Sequence, residues 1–161
     1  MSKLKKKEVC PLAKHHFYLK ANWPGNRNDV GDIKSGRLET AVSIPKEMDG
    51  PGEGTNPDEM LLGAAATCYI ITLAAMLERS GLDKEDLHME SEGIVDVTNG
   101  VFTYQKIIHR PFILLKPDAA ETDFTLARKL AQKAESSCMI SRAVQGNVEM
   151  ELEVEVKVAR A

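Results

Sequence analysis

One apolar segment near the middle of the chain constrains the fold more than any other. It opens at Asn56, a favoured N-cap residue, with Pro57 at the first helical position and Glu59 where a capping box has its second member. Residues 60–77 are mostly apolar, and Gly81 ends the pattern. The run is short for a membrane span of ~20 residues and includes polar side chains. The segment therefore predicts a long core helix.

Strand patterns stand on both sides of this helix. Residues 17–23 and 38–44 each alternate apolar and polar side chains, which predicts two early strands joined as a hairpin with a long polar loop. Residues 87–97 alternate imperfectly, and residues 101–115 are rich in β-branched and aromatic side chains. The Asn-Gly pair at 99–100 is a strong hairpin turn. These patterns predict a second, longer hairpin that follows the helix in the sequence.

A second helix and a final strand complete the pattern. Thr122 or Asp123 is suited to cap this helix, and the Gly-Asn pair at 146–147 breaks it. Its predicted apolar face consists of Leu126, Leu130, Ala134 and Cys138. Residues 148–158 alternate without error between apolar and charged side chains, which predicts one strand with one face in a core and one in water. The whole pattern predicts an α+β fold.

Composition excludes several classes of protein. The chain of 161 residues has 43% hydrophobic and 28% charged residues, which predicts one globular domain. The net charge of −3 gives no sign of a basic surface for nucleic acid. The one basic cluster, the lysine-rich residues 3–7, is expected to be a solvated N-terminal tail. No signal-peptide pattern is visible, so we expect a cytoplasmic protein with no membrane partner and no nucleic-acid partner.

The cysteines carry the candidate chemistry. Cys68 and Cys138 lie on apolar helix faces without metal-type spacing, which suggests a dithiol that reacts with an oxidant. In a cytoplasmic chain, any disulfide is expected to be transient. Cys10 precedes the first strand and matches no motif. The pair His15 and His16 has no third ligand nearby, so we expect no metal site and no cofactor.

The stretch that leads to Cys68 is the most specific motif. Residues 54–68 begin with Gly-Thr-Asn-Pro, continue with two acids and a run of small residues, and end at Cys68. Cys138 stands before the final strand, and glycine-flanked arginines occur in residues 25–27 and 35–38. This arrangement resembles the OsmC/Ohr family of thiol-dependent hydroperoxide reductases, over most of the chain.

The resemblance implies an intertwined homodimer in which antiparallel sheets wrap two central helices, with two equivalent sites at the subunit interface. It implies a single domain over residues 15–161, behind an N-terminal extension of residues 1–14. The implied substrate is an organic hydroperoxide, with hydrogen peroxide as a second candidate, and an external dithiol of lipoyl or other type is the implied reductant. A redox sensor or small-ligand binder on the same fold and a scaffold with inert cysteines are the alternatives.

The family's site residues fall on Cys68, Cys138, Arg27 and Asp58. The resemblance implies that Cys68 attacks the peroxide and becomes a sulfenic acid, and that Cys138 condenses with it to a disulfide. Arg27 would stabilise the thiolate and the developing alkoxide, and Asp58 would hold the arginine. Arg37 is the alternative arginine.

The sequence departs from the family pattern at two positions. Asp58 stands where the family has glutamate, so the neighbouring Glu59 is an alternative partner for the arginine. Ten residues of helix separate Asp58 from Cys68 by about 15 Å, so we expect a second subunit to close the site. Met139 stands where members often have proline, so either the second helix continues by a turn or the resolving thiol shifts. The apolar walls expected around a substrate are Leu61, Leu62, Ile70, Met139 and Ile140.

Overall fold

The computed structural model describes residues 13–160, and these form two compact units that divide between Thr55 and Asn56. The first unit is a small antiparallel sheet, and the second combines helices with a larger sheet. The predicted α+β class is confirmed. Cys68 and Cys138 both belong to the second unit.

The first unit contains three short antiparallel strands with β2 at the centre. These are β1 (Lys20–Asn22), β2 (Gly31–Ser35) and β3 (Leu38–Val42). The predicted two-stranded hairpin is wrong, because β2 lies in what was expected to be its polar loop. Ile33 is the one large apolar side chain of β2, so the sequence of this strand shows no alternation. Its pairing with two neighbours, rather than its own pattern, makes it a strand.

The long helix α1 (Pro57–Arg79) confirms the central prediction from the sequence. Asn56 caps it with an extended backbone, and the Asn56 side-chain oxygen accepts a hydrogen bond of 2.9 Å from the backbone N–H of Glu59. One stripe of the helix is buried, and it consists of Ala65, Tyr69, Leu73 and Leu77. The opposite face is less covered, since Ile71 is 67% exposed. By length and composition alone α1 is apolar enough to cross a membrane, but its buried stripe packs in the protein core.

The second unit is built on the predicted long hairpin, β4 (Lys84–Thr98) and β5 (Val101–Leu115). Asn99 and Gly100 form the turn with φ angles of 53° and 75°, the left-handed conformations that a tight hairpin turn needs. One face of β5 carries buried residues from position 107 to position 115 and packs against the helices.

Two short strands, β6 (Glu149–Leu152) and β7 (Glu155–Val158), pair with β5 in parallel. The prediction of one continuous final strand is therefore wrong. The interruption falls opposite Pro111 of β5, which has no N–H to donate to a strand ladder. The backbone N–H of Glu153 bridges the break by donating to the carbonyl oxygen of His109, at 2.9 Å.

The second helical region consists of α2 (Glu121–Ser137) and the short α3 (Met139–Val144). Ala120 is the N-cap of α2, and its backbone N–H donates to the Asp123 carboxylate at 2.9 Å. The expected cap at Thr122 or Asp123 is therefore wrong, although Asp123 does bond to the helix start from its third position.

The predicted single helix through Cys138 is also wrong. Cys138 has φ of −62° and ψ of 126°, an extended conformation that ends α2 and begins α3. The face of α2 that enters the core is made of small residues, and these are Ala127, Ala131, Ala134 and then Cys138. The predicted Leu126 and Leu130 are only partly buried and pack at the edge of this face. Small side chains let α2 approach α1 closely.

Candidate active site

Cys68 and Cys138 meet between the helices. Cys68 lies on α1 and is half-buried, whereas Cys138 is fully buried at the junction of α2 and α3. Both are free thiols, and their side chains are joined by a hydrogen bond. The fold therefore brings together two thiols that are separated by most of the second unit in sequence.

The residue after Cys68 ties the two helices together beside the thiols. Tyr69 is fully buried, and its hydroxyl donates to the carbonyl oxygen of Ala131 on α2 at 3.2 Å. The Tyr69 ring stacks on the His109 ring of β5, with centroids 5.1 Å apart and an interplanar angle of 27°. From Ala131 the buried face of α2 leads directly to Cys138, whose backbone N–H still donates to the carbonyl oxygen of Ala134 at 2.9 Å.

The surroundings of Cys68 favour its ionised form. Burial raises the pKa of the Cys68 thiol, but hydrogen bonds outweigh burial and hold the pKa below its usual value. The Thr72 hydroxyl, which donates to the Cys68 carbonyl oxygen at 2.8 Å, has the smallest of these effects. The donors to the sulfur are the Cys138 thiol and the backbone N–H groups of Ile140 and Met139. Two of them belong to the first turn of α3, and free N–H groups at a helix start are known to lower thiol pKa values.

The surroundings of Cys138 have the opposite effect. Burial raises the pKa of the Cys138 thiol, and the neighbouring Cys68 raises it further. Contacts with Ser141 and the backbone N–H of Ile140 lower this pKa without reversing its direction. The pair is therefore asymmetric, with an anion favoured at Cys68 and a neutral thiol at Cys138.

Met139 explains how the site forms without the expected proline. The helix does not continue through Cys138, so the alternative of an extra helical turn is wrong. Met139 contributes its backbone N–H to Cys68, which a proline at this position could not do. Its side chain is 62% exposed, while Leu62 and Ile140 pack together on the small core cluster nearby. Leu61 and Ile70 are partly buried on α1.

The acids at the start of α1 do not reach the thiols within one chain. Asp58 lies on the same uninterrupted helix as Cys68, ten residues away, which corresponds to about 15 Å. The Asp58 carbonyl oxygen accepts a hydrogen bond from the Tyr104 hydroxyl at 3.4 Å. Burial raises the pKa of Tyr104, and the negative charge of Asp58 adds to this.

The two candidate arginines belong to the first unit. The Arg27 guanidinium donates to the Met48 carbonyl oxygen at 2.8 Å and to the Asn28 side-chain oxygen at 2.9 Å. Arg37 is exposed in the two-residue turn between β2 and β3, not within the strand itself. Cys10 lies outside the described residues. Within residues 13–160, no group of three His, Cys, Asp or Glu side chains is arranged to hold a metal ion.

Four site neighbours were missed from the sequence, and they are Tyr69, Thr72, His109 and Ser141. Thr72 stands four residues after Cys68, and Ser141 stands three residues after Cys138, so helical spacing offered a signal for both. His109 offered none, because it lies on another element. It is fully buried, its Nδ1 bonds the Ser91 hydroxyl at 2.7 Å, and its Nε2 has no partner. Burial lowers the pKa of His109 to about 4.

Comparison with known proteins identifies the family. The family model described as OsmC-like protein matches residues 50–153, more than half of the chain. The chain therefore belongs to the OsmC-like protein family. Among curated relatives, it is 79% identical over 146 residues to the uncharacterized protein YmaD of Bacillus subtilis, covering 91% of this chain and 97% of that protein.

More distant relatives carry functional names. The chain is 29% identical to the organic hydroperoxide resistance protein of Xanthomonas axonopodis pv. citri, over 71% of this chain and 78% of that protein. It is 24% identical to the peroxiredoxin OsmC of Escherichia coli, over 81% of this chain and 94% of that protein.

Solved structures agree with the fold. A Legionella pneumophila protein described as an organic hydroperoxide resistance protein OsmC matches with a TM-score of 0.72 and 26% identity, covering 89% of this chain and 98% of that chain. OhrB of Bacillus subtilis matches with a TM-score of 0.64 and 23% identity, covering 88% of this chain and 98% of that chain. The second likeness supports the fold alone.

Proposed function

We propose that the protein is a thiol-dependent peroxidase that reduces organic hydroperoxides through Cys68 and Cys138. The observation that carries this proposal is the hydrogen-bonded pair itself, in which the pKa of Cys68 is lowered and the pKa of Cys138 is raised. A peroxide is attacked by thiolate rather than thiol, so the asymmetry supports Cys68 as the residue that reacts first. The names of the distant relatives support the same class of reaction.

In the first step, the Cys68 thiolate attacks the outer oxygen of the hydroperoxide. The sulfur–oxygen bond forms as the oxygen–oxygen bond breaks, so sulfur loses two electrons and the peroxide gains them. Cys68 becomes a sulfenic acid, and the leaving alkoxide takes a proton to become an alcohol. In the second step, the Cys138 sulfur attacks the Cys68 sulfur, the sulfur–sulfur bond forms, and the hydroxyl group leaves as water. An external dithiol, of lipoyl or other type, then reduces the disulfide.

A second copy of the chain completes the site in this proposal. The uncovered apolar side of α1, marked by Ile71, is the surface that a homodimer would bury. Arg27 and Asp58 of one subunit would act at Cys68 of the other, because Asp58 lies about 15 Å along the helix from its own Cys68. An arginine there would stabilise the thiolate and the leaving alkoxide. Glu59 is the alternative to Asp58, and Arg37 is the alternative to Arg27, if the family's site residues align with these neighbouring positions instead.

The substrate class follows from the exposed surface beside the thiols. Met139, whose backbone N–H bonds the half-buried Cys68, presents an apolar side chain that is 62% exposed, which suits an organic hydroperoxide better than hydrogen peroxide. We place the reaction in the cytoplasm, where dithiol reductants keep such a pair reduced.

A redox sensor is the second candidate. Cys138 is fully buried, so a reductant has access to the disulfide only from the Cys68 side, and slow reduction would favour a protein that stays oxidised. Turnover distinguishes the two functions. An enzyme consumes many equivalents of hydroperoxide in the presence of reduced lipoamide, whereas a sensor consumes one equivalent per subunit and stops.

The decisive experiment measures consumption of cumene hydroperoxide by the wild-type protein with excess reduced lipoamide. We expect repeated turnover that is abolished in Cys68→Ser and a Cys68–Cys138 disulfide in peptide maps of oxidised protein. Retention of activity in Cys68→Ser would remove Cys68 as the nucleophile. A disulfide that includes Cys10 instead of Cys138 would overturn the assignment of the second thiol.

A further inference from the structure

The side chain of Ser141 is buried, and its hydroxyl group lacks a hydrogen-bond partner. Ser141 is 4% exposed, and its backbone N–H donates to the Cys138 sulfur at 3.5 Å. Its hydroxyl oxygen has no hydrogen bond of normal geometry. A buried hydroxyl without a partner lowers stability, and such groups in a folded protein call for an explanation. Alanine would fill this position at no such cost.

The nearest reactive group to this hydroxyl is the Cys138 thiol. The Ser141 side chain lies close enough to lower the pKa of that thiol, against the effect of burial. A neutral thiol is a weak hydrogen-bond acceptor, whereas a thiolate is a strong one. The partner that the hydroxyl lacks in the reduced protein is therefore created when Cys138 loses its proton.

A hydrogen bond from Ser141 to the Cys138 thiolate would act only in the step that forms the disulfide. In the reduced protein ionisation is favoured at Cys68, and Cys68 raises the pKa of Cys138. Once Cys68 is a sulfenic acid, its thiolate is gone and Cys138 must ionise to attack. Glu135 of α2 and Arg142 of α3 line the cavity of about 310 Å³ that Ser141 also lines, and these two side chains carry opposite charges. Ser141 is then the side chain placed to stabilise the new thiolate.

We propose that Ser141 is a catalytic residue of the resolving step, in which its hydroxyl donates a hydrogen bond to the Cys138 thiolate as this attacks the Cys68 sulfenic acid. The inference rests on the proposed peroxidase function. Cys138 gives up its proton, the sulfur–sulfur bond forms, the sulfur–oxygen bond of Cys68 breaks, and the departing hydroxide leaves with that proton as water. The serine hydroxyl keeps its own proton throughout, so it is a donor and not a base.

The first test separates the two chemical steps. Ser141→Ala and wild-type protein are mixed with one equivalent of cumene hydroperoxide, and alcohol release and disulfide formation are followed separately by rapid quench and mass spectrometry. We expect unchanged alcohol release and disulfide formation slowed about tenfold at pH 7, since a hydrogen bond to a charged group is lost. The difference should shrink as pH rises, and Ser141→Thr should restore the rate.

The matched control is Ser136→Ala. Ser136 lies on α2 close to Cys138 in sequence, but its hydroxyl donates to the Lys133 carbonyl oxygen at 3.1 Å and faces solvent. This variant should form the disulfide at the wild-type rate. Ser141→Ala should also be at least as stable to urea as wild type, because it removes a buried unsatisfied group. Equal disulfide-formation rates in Ser141→Ala and Ser136→Ala would overturn the proposal.

A second test does not depend on peroxidase activity. In the Cys68→Ser background, the ultraviolet absorbance of thiolate reports the titration of Cys138, with Cys10 replaced by serine. Adding Ser141→Ala should reduce the thiolate fraction of Cys138 about tenfold in the titration range. If the wild-type protein has no peroxidase activity but Ser141→Ala still lowers the thiolate fraction of Cys138, the peroxidase function is rejected and the donor role of Ser141 is kept. An unchanged titration would reject the donor role, whatever the activity.

Discussion

Replacing Met139 with proline removes one hydrogen bond from the Cys68 thiolate and little else. The Met139 backbone N–H is one of the donors that lower the pKa of Cys68, and its side chain is 62% exposed. Met139 is the first residue of α3, where proline is favoured, and the extended backbone of Cys138 is the conformation that a residue before proline adopts. We therefore expect Met139→Pro to fold normally.

The size of the effect follows from the bond that is lost. A hydrogen bond to a charged group is worth about 1.5–3 kcal/mol when buried, and water that reaches the half-buried Cys68 reduces this to ~1 kcal/mol. The pKa of Cys68 should rise, and the rate of its reaction with peroxide at pH 7 should fall about fivefold. Meanwhile the free energy of unfolding should increase by about 0.4–1 kcal/mol, because proline restricts the unfolded chain.

The assay compares Met139→Pro with Met139→Ala, which loses the side chain but keeps the N–H. The rate of Cys68 alkylation by iodoacetamide is measured against pH, with the site of modification identified by mass spectrometry. Met139→Pro should titrate at higher pH than Met139→Ala, and the two should converge at high pH, where both carry a full thiolate. Superimposable titration curves would refute the role of this N–H, and with it the account of why the site works without the family's proline.

Three further predictions concern groups around the site. Burial lowers the folded pKa of His109 to about 4 from 6.5, so the unfolded chain binds the proton more readily, and about 3 kcal/mol of stability present above pH 6.5 should be lost on acidification to pH 4. Urea unfolding against pH should show this loss in wild type and not in His109→Phe. Tyr69→Phe removes the hydroxyl bond to Ala131, so it should lower stability by about 1 kcal/mol in urea and make the Cys68–Cys138 disulfide easier to reduce in a dithiothreitol redox buffer. Arg27→Ala should slow peroxide reduction more at pH 7 than at pH 9, because high pH restores the thiolate.

Each of these predictions has a contrary outcome. Equal acid sensitivity of wild type and His109→Phe would show that another group controls stability at low pH. A disulfide in Tyr69→Phe that is as stable as in Tyr104→Phe, which loses a hydroxyl bond at the far end of α1, would show that the Tyr69 bond does not set the spacing of the thiols. Wild-type kinetics in Arg27→Ala at both pH values would favour Arg37 or the sensor function.

The elements predicted correctly are those whose cause lies within a few residues of sequence. Asn56 and Pro57 specify the start of α1 through local hydrogen bonding and a fixed backbone angle. Asn99 and Gly100 specify the turn of the long hairpin because they tolerate left-handed conformations. In each case the deciding interaction is short-range, so the sequence pattern carries it.

The elements predicted wrongly are those that depend on a distant partner. β2 has one large apolar side chain and is a strand because β1 and β3 pair with it. The final strand breaks opposite Pro111, a residue far from it in sequence. The α2 helix ends at Cys138, although nothing in its local pattern requires an end there.

The sequence alone therefore determined the family and the central helix, and it singled out the two thiols as candidates. Only the tertiary structure decided how the thiols differ. Close packing of small residues on α2 against α1, with the Tyr69 hydroxyl bonded to Ala131, places the first turn of α3 over Cys68 and buries Cys138. A thiol's pKa depends on the donors and the water within a few ångströms of its sulfur, and for Cys68 most of these donors come from a segment some seventy residues away in the chain.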